Sequence, residues 1–233
     1  MPNSDELLRM KPRIAAILPM RHDSERVRGK NYRTFGDRPL FFHILEALLA
    51  CEQISQTVID TDSPTIRDEA HRAFPEVRVI DRPEHLRGGT VAMNDVLLND
   101  VQQIDADFYL QTHSTNPLLR PETISAAVRL FLSQQAAHDS LFGVTRLQTR
   151  LWTQDGKPLN HDLAVLLRTQ DLAPVYEENS CLYLFSGAVL ERRHNRIGES
   201  PILFEIAREE AWDIDEELDF AIAEYLWSRR AGV

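Results

Sequence analysis

The stretch IAAILPMRHDSERVRGKN, residues 14–31, places a short apolar run directly before a basic loop. The run from Ile14 to Leu18 is wholly apolar, and a run of this length that ends at a proline is typical of a strand buried on both faces of a parallel sheet. The loop after it carries four cationic side chains, which are Arg21, Arg26, Arg28 and Lys30. We therefore expect a central buried strand that presents positive charge at the edge of its sheet.

Short apolar runs and helical periodicities alternate along much of the chain. The further runs that predict strands lie at 57–60, 77–80, 108–111, 141–144 and 181–185. The segments with apolar residues at helical spacing lie at 39–51, 63–74, 93–103 and 121–135, and a last helix starts near Asp215. Strands separated by helices imply right-handed crossovers and a mainly parallel sheet that is covered on both sides. The sequence thus predicts a Rossmann-like α/β fold, a three-layer α/β/α sandwich whose ligands bind at the carboxyl ends of the strands.

Length and composition favour one domain with one insertion. The 233 residues are 43% hydrophobic and 27% charged, as in ordinary globular proteins, and we predict a single domain over residues 1–233. Between 146 and 178 the alternation lapses into a polar stretch with a turn-like DGKP at 155–158. We predict that 146–178 is an inserted hairpin arm that packs on a partner subunit or over a site, with a plain surface hairpin as the alternative.

The charge and the cysteine content restrict the classes of partner and compartment. A formal net charge of -10 disfavours nucleic acid and anionic membrane surfaces as partners, so an anionic ligand must be met by a local basic site. Cys51 and Cys181 have no CxxC or Cys/His spacing, which argues against a disulfide framework or a zinc site. Residues 1–12 lack the long apolar run of a signal peptide, and no apolar stretch is long enough to span a bilayer. We expect a cytoplasmic protein.

The basic loop has the chemistry of a polyphosphate site. Backbone amides in a turn after a strand, together with arginine forks and a lysine, match a polyphosphate in geometry and in sign. The loop is not a Walker motif, because Gly29-Lys30 is followed by Asn31 rather than by serine or threonine. The alternative is a solvated loop whose charges pair with Asp23 and Glu25.

The stretch WDIDEELDFAIAEYL, residues 212–226, places two aspartates before an amphipathic helix. Asp213 and Asp215 stand two residues apart, so in extended chain their side chains point the same way and repel each other. A divalent cation would relieve that repulsion, and Mg²⁺ prefers one or two carboxylates together with water and phosphate oxygens. In the alternative reading, Asp215 simply caps the helix that follows.

Neutral polar residues gather at the end of the strand predicted at 108–111. They are Gln111, His113, Ser114, Thr115 and Asn116. Such groups are suited to hydrogen-bonding a base or a sugar. The alternative is that Asn116-Pro117 and Arg120-Pro121 are only turn and helix-entry signals.

Taken in order, these stretches resemble the cytidylyltransferases that activate acidic 2-keto sugars, of the CMP-N-acylneuraminate synthetase type. The loop PMRHDSERVRGKN has the spacing of the family's (P/L)ARxxSKxxxxKN, with Glu25 in place of the lysine after the serine. GTVAMNDVL stands for the family's DTAxxxDVL, with Ala92 where a serine is usual. The other corresponding stretches are DTD at 60–62, RPxxL at 82–86, LQTHSTNPLLR at 110–120, RTQDLAPVYEENSCLYLF at 168–185 and DIDEELD at 213–219.

The resemblance implies a nucleotide-diphospho-sugar transferase-like fold, usually a homodimer in which the arm reaches toward the partner's site. It implies transfer of CMP from CTP to an acidic 2-keto sugar with Mg²⁺ and release of pyrophosphate. It implies nucleotide contacts by Arg21, Ser24, Lys30, Asn31, Arg82, Thr90 and Gln111. It implies sugar contacts by Gln170, Asn179 and Arg168, metal ligation by Asp213 and Asp215, and catalytic roles for Lys30, Arg21 and Asp215.

Two other functions stay open at this point. One is a nucleotidyltransferase for another sugar or another base. The other is a non-catalytic nucleotide-sugar-binding protein that kept the fold, which Glu25 and Ala92 favour. The presence of Lys30, Asp213 and Asp215 argues against that second function, because a pure binding module has no evident need for all three.

Overall fold

The computed structural model describes residues 11–231. The expectation about a signal peptide rests on residues 1–12 and lies almost wholly outside the described part. The strands are β1 Ile14–Met20, β2 Thr34–Phe35, β3 Arg38–Pro39, β4 Gln56–Thr61, β5 Arg78–Asp81, β6 Phe108–Thr112, β7 Ser140–Leu147, β8 Val175–Phe185 and β9 Pro201–Glu205. The helices are α1 Leu40–Leu49, α2 Pro64–Ala73, α3 Met93–Val101, α4 Pro121–Gln134, α5 Gly187–Arg193 and α6 Glu217–Ala231.

A seven-stranded sheet in the order β5-β4-β1-β6-β8-β7-β9 forms the centre. Strand β1 is parallel to β4 and β6, and β9 is parallel to β7, whereas β8 is antiparallel to both of its neighbours. The sheet is therefore mainly parallel, and the predicted α/β class is confirmed. Strands β2 and β3 form a separate two-stranded ribbon beside it.

The alternation of side chains along β1 explains why all of its residues are buried. Ile14, Ala16 and Leu18 join a core cluster that includes residues of α1, α2 and α4. Ala15 and Ile17 point to the opposite face and join residues of α3 and α5. Because helices cover both faces, a strand at this position has no polar side, and this is why the apolar run predicted it well.

A third apolar cluster attaches the basic loop to the C-terminal helix. It contains Val27, Phe35, Leu40, Leu118, Ile214, Phe220 and Ala223. Val27 comes from the loop after β1, whereas Ile214 and Phe220 come from the last segment of the chain. The cluster therefore brings together two stretches that lie far apart in sequence.

The sequence missed or misplaced several elements in the C-terminal half. Helix α5 and strand β9 were not predicted, and α6 begins at Glu217 rather than near Asp215. Strand β8 begins at Val175, inside the predicted arm, because its first residues are exposed and lack an apolar alternation. Its pairing with β7 shifts register between Phe142 and Val144, so the strand is irregular where it leaves the core.

None of the helices within residues 11–231 combines the length and the apolar character that a bilayer crossing requires.

Candidate active site

A cavity of about 440 Å³ lies where β1, β5 and β6 end. Its wall includes Arg21 directly after β1, Arg82 directly after β5 and His113 directly after β6. These three strands are part of the parallel portion of the sheet, so their carboxyl ends meet at one edge. The cavity is thus at the edge that the sequence predicted for ligands.

Asn31 holds the basic loop in its shape. Its Nδ2 donates to the carbonyl oxygen of Arg21 at 2.7 Å, and its Oδ1 accepts from Ser114 Oγ at 2.7 Å. Gly29 begins the turn with a φ of 63°, and a Cβ there would lie 2.9 Å from the ring of Tyr32. Asn31 therefore lines the cavity, but its amide is mostly engaged within the protein.

The loop presents three cations to the cavity, which are Arg21, Arg26 and Lys30, and Ser24 lies beside them. Lys30 Nζ donates to the carbonyl oxygen of Ile214 at 2.5 Å and lies 4.0 Å from Asp215 Oδ1. Burial lowers the pKa of Lys30, and the nearby charges of Asp213 and Asp215 oppose that shift. Arg26 pairs with Asp215 at 2.6 Å. Lys30 and Arg26 therefore face the acidic segment, and within the described residues no loop cation forms an ion pair with Asp23 or Glu25.

The acidic segment precedes α6 and has no regular secondary structure, and two of its carboxylates line the cavity. The side chain of Ile214 is fully buried in the third cluster, and its backbone N–H donates to Thr115 at 2.9 Å. Asp213 and Asp215 consequently turn the other way and line the cavity. Capping falls to Asp219, whose carboxylate accepts from the backbone N–H groups of Asp215 and Glu216 at 3.1 and 2.9 Å.

The pair of aspartates fits a divalent cation. Asp213 Oδ1 is buried and has no hydrogen-bond partner among the described residues, and burial raises the pKa of Asp213. A cation at this oxygen would satisfy it and would offset the desolvation. Within residues 11–231 no group of three or more potential metal-ligating side chains occurs. Two carboxylates are nevertheless the number that Mg²⁺ takes when phosphate oxygens and water complete its shell.

A second cavity of about 340 Å³ adjoins the first. Ser180, Asp213 and Asp215 line both cavities. The second is otherwise walled by residues that include Thr145, Asn179, Arg208 and Trp212. The acidic pair therefore stands at the junction of two spaces, the arrangement that a reaction between two substrates requires.

An irregular turn of β8 forms part of that junction. Ser180 has a φ of 57°, in the left-handed region that a residue with a Cβ rarely adopts. Next to it, Asn179 donates to Thr145 Oγ1 at 3.1 Å and accepts from the backbone of Cys181 at 3.2 Å. The predicted sugar residue Asn179 thus lines the second cavity, with its amide already partly bonded.

Two residues that the resemblance assigned to the nucleotide lie outside the cavity lining. Thr90 is exposed, although its neighbours Gly89 and Val91 line the first cavity. Gln111 is fully buried, accepts from Arg196 Nη1 at 2.6 Å and donates to the backbone of Thr112 at 2.9 Å. Because its amide is buried and bonded to Arg196 and to the backbone, Gln111 does not present free polar atoms to the cavity.

Two residues assigned to the sugar also lie outside both cavities. Gln170 and Arg168 belong to the arm, and both are exposed. Arg168 pairs with Asp171 on the same short turn at 2.6 Å. The cation that lines the second cavity is instead Arg208, which has no carboxylate within 4.0 Å among residues 11–231. No sequence signal distinguished Arg208 from other surface arginines.

His113 lines the first cavity as a neutral imidazole. Burial lowers its pKa to about 3, and the charges of Arg196 and Lys30 act in the same direction. Its Nε2 lies 3.0 Å from Gln111 Nε2, so this ring nitrogen accepts a hydrogen bond. At neutral pH His113 can hydrogen-bond a ligand, but it does not supply a positive charge.

Comparisons with known proteins agree with this geometry. A family model described as cytidylyltransferase matches residues 15–229. The CMP-N,N'-diacetyllegionaminic acid synthase of Legionella pneumophila is 29% identical over 92% of this chain and 96% of its own. The post-translational flagellin modification protein B of Campylobacter coli is 27% identical over 91% of this chain and 94% of its own.

Among solved structures, a CMP:2-keto-3-deoxy-manno-octonic acid synthetase complexed with CTP has a TM-score of 0.70 to this chain. The likeness covers 94% of this chain and 99% of that one at 15% sequence identity, so it supports the fold. The family predicted from the motifs is confirmed by the family model, which matches almost the whole described chain. The chain therefore belongs to the cytidylyltransferase family of CTP-dependent nucleotidyltransferases.

Proposed function

We propose that this cytidylyltransferase transfers CMP from CTP to the anomeric hydroxyl of an acidic, sialic-acid-like 2-keto sugar. The observation that carries the proposal is the pair of adjoining cavities that share Asp213 and Asp215. The name of the Legionella relative, which makes a CMP derivative of such a sugar, supports this substrate class. A cytoplasmic location is part of the proposal, because CTP is an intracellular nucleotide.

In the proposed complex, the first cavity holds CTP. Arg21, Arg26 and Lys30 contact the phosphates, with Ser24 beside them. Arginine forks and a lysine suit phosphate oxygens, and a lysine with little exposure interacts with them more strongly than one in water. Arg82 contacts the nucleoside end, where the neighbouring wall contains the small and apolar residues Gly88, Gly89 and Val91.

The chemistry is an in-line attack of the sugar hydroxyl on the α-phosphorus, with pyrophosphate leaving. The protein contributes mainly by positioning two anionic substrates and by neutralising charge that develops on the phosphoryl oxygens. Lys30 and Arg26 are the loop cations at the acidic pair, and both lie within 4.0 Å of Asp215 Oδ1. Asp213 and Asp215 would hold a Mg²⁺ ion, which would supply further neutralisation of these oxygens when bound.

The second cavity holds the sugar acid in this proposal. Several carboxylates line it, so an acidic substrate requires a cation, and Arg208 is the arginine in its wall. A guanidinium can bind a carboxylate through two parallel hydrogen bonds. We therefore assign the sugar carboxylate to Arg208 within one chain, with Asn179 beside the ring.

Arg168 and Gln170 require a second chain in this proposal. The arm that carries them exposes several large apolar side chains, including Leu163 at 67%, Val165 at 51% and Leu166 at 89%. Several exposed large apolar side chains on one segment are typical of a protein interface. We propose a homodimer in which each arm covers the partner's second cavity and delivers these two residues to it.

Release of pyrophosphate tests the reaction. The purified protein is supplied with Mg²⁺, one of CTP, UTP, GTP or ATP, and one member of a panel of 2-keto sugar acids. We expect release only with CTP and one or a few of the acids. Release with another nucleotide would favour a different nucleotidyltransferase, whereas CTP binding without release from any pair would favour a binding protein.

A further inference from the structure

A cluster of three buried ionisable side chains lies behind the first cavity. Asp60 near the end of β4 and Asp100 on α3 are both 0% exposed, and Arg82 after β5 is 2% exposed. Arg82 alone of the three lines the cavity. Three separate elements of the fold therefore contribute one ionisable group each to a space that excludes water.

Asp60 fixes the guanidinium of Arg82. Nε and Nη2 of Arg82 both contact Asp60 Oδ1, and Nη2 lies 3.3 Å from the Asp60 carbonyl oxygen. The Arg82 backbone is held as well, since its N–H donates to Thr61 at 3.0 Å and its carbonyl accepts from Arg87 at 2.7 Å. Among the described residues no acceptor takes a hydrogen bond from Nη1, which leaves that nitrogen for a ligand in the cavity.

The charges of the cluster do not balance if both carboxyl groups are ionised. Asp60 and Asp100 are both buried around one guanidinium, and the negative charge of Asp60 disfavours ionisation of Asp100. A hydrogen bond between two carboxyl groups needs a proton on one of them. Asp60 Oδ2 and Asp100 Oδ2 are both buried and have no hydrogen-bond partner within residues 11–231, so one proton shared between them would satisfy both oxygens.

The proton belongs to Asp100. Burial is the main cause that raises its pKa, the negative charge of Asp60 adds to the effect, and the result is a pKa of about 8. Burial also raises the pKa of Asp60, but the contact with Arg82 opposes this and favours the charged form. The other groups that face the pair are Asn99, whose Nδ2 lies 3.3 Å from Asp100 Oδ1, and Asp62, whose charge acts on Asp60.

We propose that Asp100 is a positioning residue that works as a protonated acid and holds Asp60 against Arg82 so that Nη1 of Arg82 faces the bound nucleotide. This rests on the proposed function in that it takes CTP as the ligand of the first cavity. When Asp100 loses its proton, a second negative charge adjoins Arg82. The guanidinium is then drawn toward two carboxylates, and a polyanionic ligand meets a less positive wall.

The substitution Asp100→Asn tests the proposal directly, because an amide has the shape of the protonated acid, can donate to Asp60 and has no proton to lose in this range. Folding raises the pKa of Asp100, so the folded protein binds this proton more tightly than the unfolded chain. The stability that the proton contributes is lost as the pH rises from the ordinary aspartate range through about 8. The melting temperature of the wild type should therefore fall over this range more steeply than that of Asp100→Asn.

The second experiment measures CTP binding in the presence of Mg²⁺ by calorimetry. The pH runs from about 7.5, where the phosphates are already ionised, to about 9.5. We expect the wild-type dissociation constant to rise about tenfold over this range and that of Asp100→Asn to change much less. Any titration of Lys30 occurs in both proteins, so the difference between their dissociation constants reports the ionisation of Asp100. Asp68→Asn, at an exposed position on α2, is the control for charge removal and should follow the wild type in both experiments.

Three results would overturn the proposal. Identical melting profiles for the wild type and Asp100→Asn would exclude the shared proton. Different melting profiles with parallel CTP profiles would show that the proton stabilises the fold without acting on Arg82. Absence of CTP binding to the wild type at every pH would overturn the proposed function and the link to CTP, while the melting comparison would still decide the protonation.

A second variant keeps the test valid if Asp100→Asn folds poorly. Asp60→Asn removes the charge that holds Arg82, so we expect weaker CTP binding at every pH and a KM for CTP that rises more than kcat falls. An unchanged KM for CTP in folded Asp60→Asn would contradict the positioning role.

Discussion

The two adjoining cavities differ in how their polar groups are held. In the first, the key side chains are bonded to the core of the same chain: Asn31 to Ser114, Lys30 to Ile214 and Arg82 to Asp60. In the second, Arg208 is exposed and unpaired among the described residues, and the arm beside β8 presents apolar side chains to solvent. In terms of the proposed function, the difference favours a nucleotide site that one chain completes and a sugar site that a second chain completes.

The largest effect is expected from the junction. Lys30→Ala and Asp215→Ala should each lower kcat/KM for pyrophosphate release by about 10² or more, roughly 3 kcal/mol of transition-state stabilisation. The reason is that Lys30 neutralises charge on the reacting phosphates, whereas Asp215 would hold the Mg²⁺ ion that neutralises it further. Arg28→Ala, in the same loop but outside the cavity lining, is the matched control. Near wild-type turnover by either folded variant would remove that residue from the mechanism.

Arg208→Ala should affect the two substrates differently in a kinetic measurement. We expect the KM for the sugar acid to rise about tenfold while the KM for CTP stays within about twofold, because the lost cation faces only the sugar carboxylate. The exposed Arg129 on α4 provides a control through Arg129→Ala. A parallel rise in both KM values would mean that Arg208 does not distinguish the substrates.

A substitution in the arm tests whether another chain completes the second cavity. Leu166→Asp places a charge at the most exposed large apolar side chain and should convert a dimer into a monomer in light scattering. We expect kcat/KM for the sugar to fall by about fivefold, with CTP binding unchanged. Tyr225→Asp, at an exposed position on α6, controls for surface charge. A monomeric wild type at micromolar concentration would exclude the arm as a dimer contact.

The smallest effect concerns the strained turn at the junction. Ser180→Gly should raise the free energy of unfolding by about 0.5 to 1 kcal/mol, because glycine adopts a positive φ without steric cost while its flexible unfolded chain offsets part of the gain. Ser180→Ala keeps the strain and serves as the control. Equal midpoints for the two variants in a urea titration would show that the turn is not strained.

Apart from the short strands β2 and β3, which were not predicted, the sequence predicted the N-terminal half of the fold closely because helices cover both faces of the sheet there. Fully buried strands such as β1 leave an apolar run that is easy to read. The C-terminal half was predicted less well. The first residues of β8 are exposed, and β9 is a short edge strand with few buried side chains, so neither leaves a clear pattern.

The candidate site divides in the same way. The basic loop and the acidic pair were found because their charges are dense and their spacing is local. The exclusion of Gln111 and Thr90 from the cavity lining, the exposure of Arg208 to the second cavity and the shared proton behind Arg82 were not predicted. Each depends on which face a strand turns or on contacts between residues distant in sequence.

By itself, the sequence determined the class of fold, the charge of the basic loop and the family, since these follow from local patterns of burial, charge and spacing. Tertiary structure alone decided that the loop faces Asp213 and Asp215, that these two join a pair of cavities, and that Asp60 and Asp100 meet at Arg82. The physical reason is that such contacts arise when separate strands and helices pack, and no local pattern records which side chains will then be neighbours.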